Sequence, residues 1–144
     1  MPSNEVIGFI GLGVMGGPMC GHIARKGDNR VIGHDVVMST VEAWSDDGVE
    51  PVSALSEIAS TADIIFLSLP GEPQIRAVCE GPDGLIELSC AGQLIVDCST
   101  APVPMTHEIA AAFGDKGVKF VDAPVTRSAQ AARDGTLSFM VGGD

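Results

Sequence analysis

The fold of this chain is decided by residues 6–16, which read VIGFIGLGVMG. The apolar run 6–10 is typical of a buried strand, and three glycines at GxGxxG spacing follow it directly. Gly11 permits a sharp strand-to-helix turn, Gly13 lets the backbone approach a pyrophosphate, and Gly16 lets the helix pack close to the strand. The stretch therefore predicts a dinucleotide-binding turn.

An acidic residue closes the next apolar run, 31–34. Asp35 lies 19 residues past Gly16, close to the roughly 20 expected for the residue that accepts hydrogen bonds from an adenosine ribose. The unpaired N–H groups at the start of the new helix, around Val14 and Met15, would face the phosphates. A lone GxGxxG is weak evidence, but strand, glycines, helix and acid together indicate a nucleotide site.

Strands and helices alternate along the whole chain. Strands are predicted at 6–10, 31–35, 64–69, 94–97, 120–122 and 137–141, and helices at 14–26, 39–47, 55–60, 73–79, 85–89, 104–114 and 128–134. This alternation predicts an α/β fold: a Rossmann-type, doubly wound, mainly parallel sheet of about six strands with helices on both faces. Because such sheets bind ligands at the carboxyl ends of their strands, we expect the polar segments after the strands to converge on one edge.

Length and charge exclude several other classes of protein. The 144 residues fit one domain, and 8 basic against 19 acidic residues argue against binding to nucleic acid or to an anionic membrane. The uncharged stretch 6–24 contains six glycines and a proline, so we interpret it as strand, turn and helix rather than as a membrane span or signal peptide. We therefore expect a cytoplasmic protein.

The cysteines and histidines give no sign of a metal site. The four cysteines show neither CxxC spacing nor pairing with histidine, so we expect them to be reduced and mainly buried. The three histidines, His22, His34 and His107, are scattered along the chain. His34 is the most interesting of them because it precedes Asp35 at a strand end.

Two later segments place polar side chains directly after predicted strands. The segment DCST at 97–100 supplies two hydroxyls, which could cap the next helix or donate to a cofactor or substrate; spacing leaves both open. In the second segment, 122–128, Arg127 lies just past a strand end and could hold an anion with two hydrogen bonds. From spacing alone, an exposed and solvated arginine is the commoner explanation of that residue.

Together these segments resemble the β-hydroxyacid dehydrogenases, a family that includes 3-hydroxyisobutyrate dehydrogenase, tartronate semialdehyde reductase and 6-phosphogluconate dehydrogenase. The resemblance covers the chain from residue 8 to its end. Its motifs are GFIGLGVMGGPM at 8–19, LSLP at 67–70, GPDGL at 81–85, DCST at 97–100, DAPV at 122–125 and GTLSFMVGG at 135–143.

The resemblance implies a role for each matching position. The cofactor would be bound by Gly11, Leu12, Gly13, Val14, Met15, Gly16, Asp35, Leu69, Pro70, Gln74 and Thr100, and the acid group of the substrate by Ser99, Thr126, Arg127 and Ser128. NADP-using members tend to show Asn-Arg-Thr where this chain has Asp35, and a carboxylate repels a 2′-phosphate, so NAD is favoured. Many members have Ser-Gly-Gly at 126–128. The arginine there indicates a different or stronger anion and leaves the identity of the substrate open.

The resemblance also implies that part of the active site is absent from this chain. Family members are longer and carry the catalytic lysine in a helical second domain, whereas none of Lys26, Lys116 and Lys119 matches that position. We therefore expect residues 1–144 to be the NAD-binding domain of an oxidoreductase acting on a small anionic 3-hydroxy acid or its semialdehyde. The full-length protein would be a homo-oligomer, and the isolated chain would bind cofactor without turnover.

Two other interpretations stay open on the sequence alone. The first is a stand-alone nucleotide-binding or sensing module that never had a catalytic half. The second is a methyltransferase, because that class shares a glycine-rich first turn and an acid after the second strand.

Overall fold

The computed structural model describes residues 4–143 and shows a parallel sheet covered by helices. The six strands of this sheet are Ile7–Ile10 (β1), Val31–His34 (β2), Val49–Pro51 (β3), Ile64–Leu67 (β4), Leu94–Asp97 (β5) and Lys119–Asp122 (β6). They are all parallel, in the order β3-β2-β1-β4-β5-β6, which is the Rossmann order. The predicted fold class is confirmed. Residues 1–3 and 144 of the predicted domain lie outside the described residues.

Successive strand residues point to opposite sides of the sheet, so apolar strands need cover on both faces. Helices provide this cover on each face. They are Gly16–Lys26 (α1), Met38–Glu42 (α2), Leu55–Thr61 (α3), Glu72–Glu80 (α4), Leu85–Leu88 (α5), Val103–Gly114 (α6) and Ala129–Asp134 (α7). Phe9 belongs to the core cluster on the α1 and α2 side, and the next residue, Ile10, to the cluster on the side of α3 to α6. In α6, Ile109 and Phe113 are buried, as their spacing of four residues predicts.

The prediction of a sheet strand at 137–141 is wrong. Ser138–Phe139 (β8) instead pairs antiparallel with Val125–Thr126 (β7) in a separate two-stranded sheet. A parallel strand needs cover on both faces, whereas residues 138–141 are all exposed. The sixth strand of the main sheet is β3, which the prediction misses because it has only three residues and ends in a proline.

The predicted helix at 39–47 is two shorter pieces, α2 and a 3₁₀ turn at Ser45–Asp47. The first piece, α2, begins one residue before the predicted start, with Val37 in the capping position. The break lies at Trp44, whose indole packs on α1. A Cβ at Gly17 would lie 2.6 Å from the Trp44 Nε1 atom, so that glycine makes room for the ring.

The cysteines behave as small buried hydrophobic residues. Cys20, Cys79 and Cys98 are buried, Cys90 is exposed, and all are free thiols. Burial raises the pKa of each buried thiol to about 12, so these thiols stay protonated and unreactive at neutral pH. Between residues 4 and 143, no helix is both long enough and apolar enough to cross a lipid bilayer.

Candidate dinucleotide site

A cavity of about 520 Å³ opens at the carboxyl edge of the sheet. It lies over the ends of β1, β2 and β4, at the point where the strand order reverses. Open α/β sheets bind their ligands at this point. The cavity is lined by nine of the residues predicted to bind a cofactor: Gly11, Gly13, Val14, Met15, Gly16, Asp35, Leu69, Pro70 and Gln74.

The three glycines of the turn serve different purposes. Gly11 has φ +90°, and a Cβ there would lie 2.1 Å from the Ser68 carbonyl oxygen. A Cβ at Gly16 would lie 1.9 Å from the Gly11 carbonyl oxygen, where α1 meets the end of β1. A Cβ at Gly13 would meet no atom of residues 4–143 within 4 Å. The fold itself therefore requires Gly11 and Gly16, while Gly13 faces open space in which a ligand can approach the backbone.

Asp35 holds the glycine turn in place. Its Oδ2 accepts a hydrogen bond of 2.9 Å from the Leu12 N–H, and its Oδ1 accepts one of 2.9 Å from the Val37 N–H. A carboxylate has about four acceptor positions, so capacity remains for ligand hydroxyls. Leu12, by contrast, is buried and does not line the cavity, so its side chain belongs to the core.

The Ser99 hydroxyl joins the ends of two strands. It accepts a hydrogen bond of 2.8 Å from the Leu69 N–H, and the side chain is buried. This contact fixes the Leu69-Pro70 wall of the cavity. Thr100, the next residue, is exposed and does not line the cavity.

Beside Ser99, the carboxyl end of β5 carries a buried acid. The Asp97 Oδ1 accepts a hydrogen bond of 2.9 Å from the Ser99 N–H. Burial raises the pKa of Asp97; hydrogen bonds from Ser99 oppose that shift, and the charge of Asp122 on β6 adds to it.

The segment Thr126-Arg127-Ser128 does not line the cavity. The Ser128 Oγ caps α7, accepting a hydrogen bond of 3.2 Å from the Ala131 N–H. Arg127 is exposed at φ +89°, and its Nε donates to the Ser138 hydroxyl at 3.2 Å. The structure therefore places Thr126 at the end of β7 and the other two residues in the connection to α7, outside this cavity.

Other cavity residues were not predicted as site residues. They are Ile10, His34, Val36, Leu55, Ser68, Ala77 and Val78. Leu55 begins α3, and Ala77 and Val78 lie on α4, so finding them required knowing which helix faces reach the sheet edge. The sequence singles out His34 without giving it a role.

Comparison with known proteins agrees with this geometry. Residues 6–144 match the family described as the NAD binding domain of 6-phosphogluconate dehydrogenase. Over 142 residues the chain is 38% identical to 2-(hydroxymethyl)glutarate dehydrogenase of Eubacterium barkeri. The alignment covers 99% of this chain and 47% of that protein.

Solved structures give the same family. The Mycobacterium tuberculosis 3-hydroxyisobutyrate dehydrogenase with L-serine matches with a TM-score of 0.89 and 29% identity, covering 99% of this chain and 47% of that one. Psf3 in complex with NADP+ and 2-OPP matches with a TM-score of 0.91 and 26% identity, and the match covers 96% of this chain and 49% of that one. The chain spans about half the length of these relatives. With its Rossmann sheet and glycine turn, it belongs to the family of the NAD-binding domain of 6-phosphogluconate dehydrogenase and related hydroxyacid dehydrogenases.

Proposed function

We propose that this chain is the cofactor-binding domain of an NAD-dependent β-hydroxyacid dehydrogenase. The whole enzyme would interconvert a small anionic 3-hydroxy acid and its semialdehyde, and the nicotinamide cofactor would carry the hydride. The observation that carries the proposal is the cavity at the switch point, with the glycine turn on one side and Asp35 on another. A Cβ at Gly13 would meet no described atom within 4 Å, and this space fits a group that must approach the backbone closely.

The chain's own residues can bind each part of such a cofactor. Val14 and Met15 line the cavity at the start of α1, where unpaired N–H groups and the positive end of the helix dipole favour a pyrophosphate. The remaining acceptor positions of Asp35 suit the ribose hydroxyls. Leu69, Pro70 and Gln74 line the cavity from the end of β4 and the start of α4. Thr100 would contact the nicotinamide half from outside this cavity.

We favour NAD over NADP because of the charges that line the cavity. Asp35 would repel a 2′-phosphate, and no lysine or arginine among residues 4–143 lines the cavity to attract one. Psf3 was solved with NADP+, so family membership alone does not choose between the two cofactors. Asp35 is therefore the residue on which this choice depends.

The proton donor and part of the substrate pocket would come from a second, helical domain. None of the three lysines lines the cavity, and the Lys116 Nζ donates to two backbone carbonyls, those of Ile86 and Glu87. An exposed apolar run follows β8, with Met140 58% and Val141 71% accessible, and such a surface suits a domain or subunit contact. We propose that this contact and homo-oligomer formation belong to the full-length protein.

We propose that Thr126, Arg127 and Ser128 hold the acid group of the substrate, since the arginine side chain is exposed and cationic. Ser99 would act there by fixing the cavity wall, because its hydroxyl already pairs with the Leu69 N–H. Free thiols are compatible with the reducing cytoplasm, where we place the protein.

Calorimetric titration of the chain with NADH, NADPH and S-adenosylmethionine tests the proposal. We expect NADH to bind, NADPH to bind at least about ten-fold more weakly, and the methyl donor not to bind. Asp35→Asn keeps an acceptor oxygen but removes the charge, so it should reduce the difference between the affinities for NADH and NADPH. Asp46→Asn makes the same charge change at an exposed site outside the cavity, and it should leave this difference in affinity unchanged. Binding of S-adenosylmethionine in place of NADH would contradict the proposal and favour a methyltransferase.

A further inference from the structure

One ring nitrogen of His34 is hydrogen-bonded to the backbone, and the other is not bonded to any described residue. The Nδ1 atom lies 3.1 Å from the Val52 carbonyl oxygen. A carbonyl oxygen can only accept a hydrogen bond, so Nδ1 must carry the proton. In the neutral ring this leaves Nε2 as an acceptor.

The other ring nitrogen of His34, Nε2, is not buried. It has no hydrogen-bond partner among residues 4–143. Among buried polar side-chain atoms of the described chain, only the Ser89 Oγ lacks a partner, so Nε2 is not buried. The His34 side chain itself lines the cavity beside Asp35.

The cavity that His34 lines also has apolar side chains, which suit a flat, largely apolar ring. Leu55 from α3 and Ala77 and Val78 from α4 line this cavity, and all are apolar. The glycine turn and Asp35 would bind the phosphates and the ribose, which leaves these apolar walls for the base. The His34 imidazole then supplies a hydrogen-bonding group in the same cavity.

We propose that His34 reads the identity of the base, its Nε2 accepting a hydrogen bond from the exocyclic amino group of adenine. This inference rests on the proposed function, because it presumes that the cavity binds a dinucleotide. Hypoxanthine carries a carbonyl oxygen at the same position, so one acceptor would face another and neither would be paired. His34 would thus select an adenine cofactor over its hypoxanthine analogue.

The test compares the affinities of NADH and reduced nicotinamide hypoxanthine dinucleotide for the 144-residue chain at pH 8. We expect the wild-type chain to bind NADH about ten-fold more tightly than the analogue. His34→Phe keeps a flat ring but removes the acceptor, so the two affinities should come within about two-fold of each other. His107→Phe, at an exposed position of α6 outside the cavity, should keep the full difference.

Each outcome decides the matter. Equal affinities in the wild-type chain would overturn the inference while leaving the proposed function intact, and this comparison needs no substitution to fold. A full difference retained by His34→Phe would also overturn it. If NADH itself failed to bind, the proposed function would fall, and the base-reading role with it.

Discussion

At the scale of single residues, a Cβ added at Gly16 would lie 1.9 Å from the Gly11 carbonyl oxygen, a backbone atom that can move only with the turn itself. We expect Gly16→Ala to lower the free energy of unfolding by about 3 kcal/mol or more. Urea denaturation followed by circular dichroism measures this change. Gly114→Ala is the control, because a Cβ at the end of α6 meets no atom of the described chain within 4 Å. Equal stability of the two variants would show that the turn is not as tight as described.

The residue scale also shows where sequence reasoning stops. The spacing of Gly11, Gly13 and Gly16 predicts the turn because the geometry there is local. The role of the Ser99 hydroxyl depends on a hydrogen bond to a residue 30 positions away, so neither of the two roles considered from spacing describes its contact with Leu69. That contact could be found only by pairing the ends of β4 and β5.

At the scale of elements, long apolar runs predict the buried strands well, and short or exposed segments mislead. Strands β1 and β4 lie within the predicted runs 6–10 and 64–69. The run at 137–141 is equally apolar, but nothing in its sequence says whether both of its faces are covered. Its assignment to the parallel sheet failed because the chain turns back at β7 and leaves that segment exposed.

At the end of β5, Asp97 makes the stability of the fold depend on pH. Because the pKa of Asp97 is raised by burial, the folded chain keeps this proton at pH values where the unfolded chain has lost it. Stability therefore falls as the pH rises from about 3.9, the usual value for an unfolded aspartate, through the folded pKa. Asp97→Asn removes the charge and can keep the bond from the Ser99 N–H. We expect this variant to gain stability relative to wild type as the pH rises from 4 to 7, measured by urea denaturation at each pH. A relative stability that does not change with pH would contradict this assignment.

At the scale of the whole molecule, the cavity supplies the proposed cofactor with a glycine turn and an acid, but no lysine of the described residues lines it. Lys26, Lys116 and Lys119 all lie outside it. We expect the 144-residue chain to bind NADH and yet give no oxidation of NADH above the buffer rate with small semialdehydes, followed by absorbance. An enzyme-like rate would contradict the proposed second domain. A full-length protein that binds NADH but also lacks turnover would instead favour a sensing module.

The central claim is that the space in front of the glycine turn holds a dinucleotide, and Gly13→Ala tests it most directly. A Cβ there meets no atom within 4 Å in the part of the chain that the structure describes, and Gly13 is not in the left-handed region, so the variant should fold with an unchanged Tm. The same methyl group would occupy the space proposed for the pyrophosphate. By calorimetry, we expect Gly13→Ala to bind NADH at least about ten-fold more weakly than wild type, and Gly114→Ala to bind it as wild type does. Wild-type affinity in a folded Gly13→Ala variant would contradict the claim.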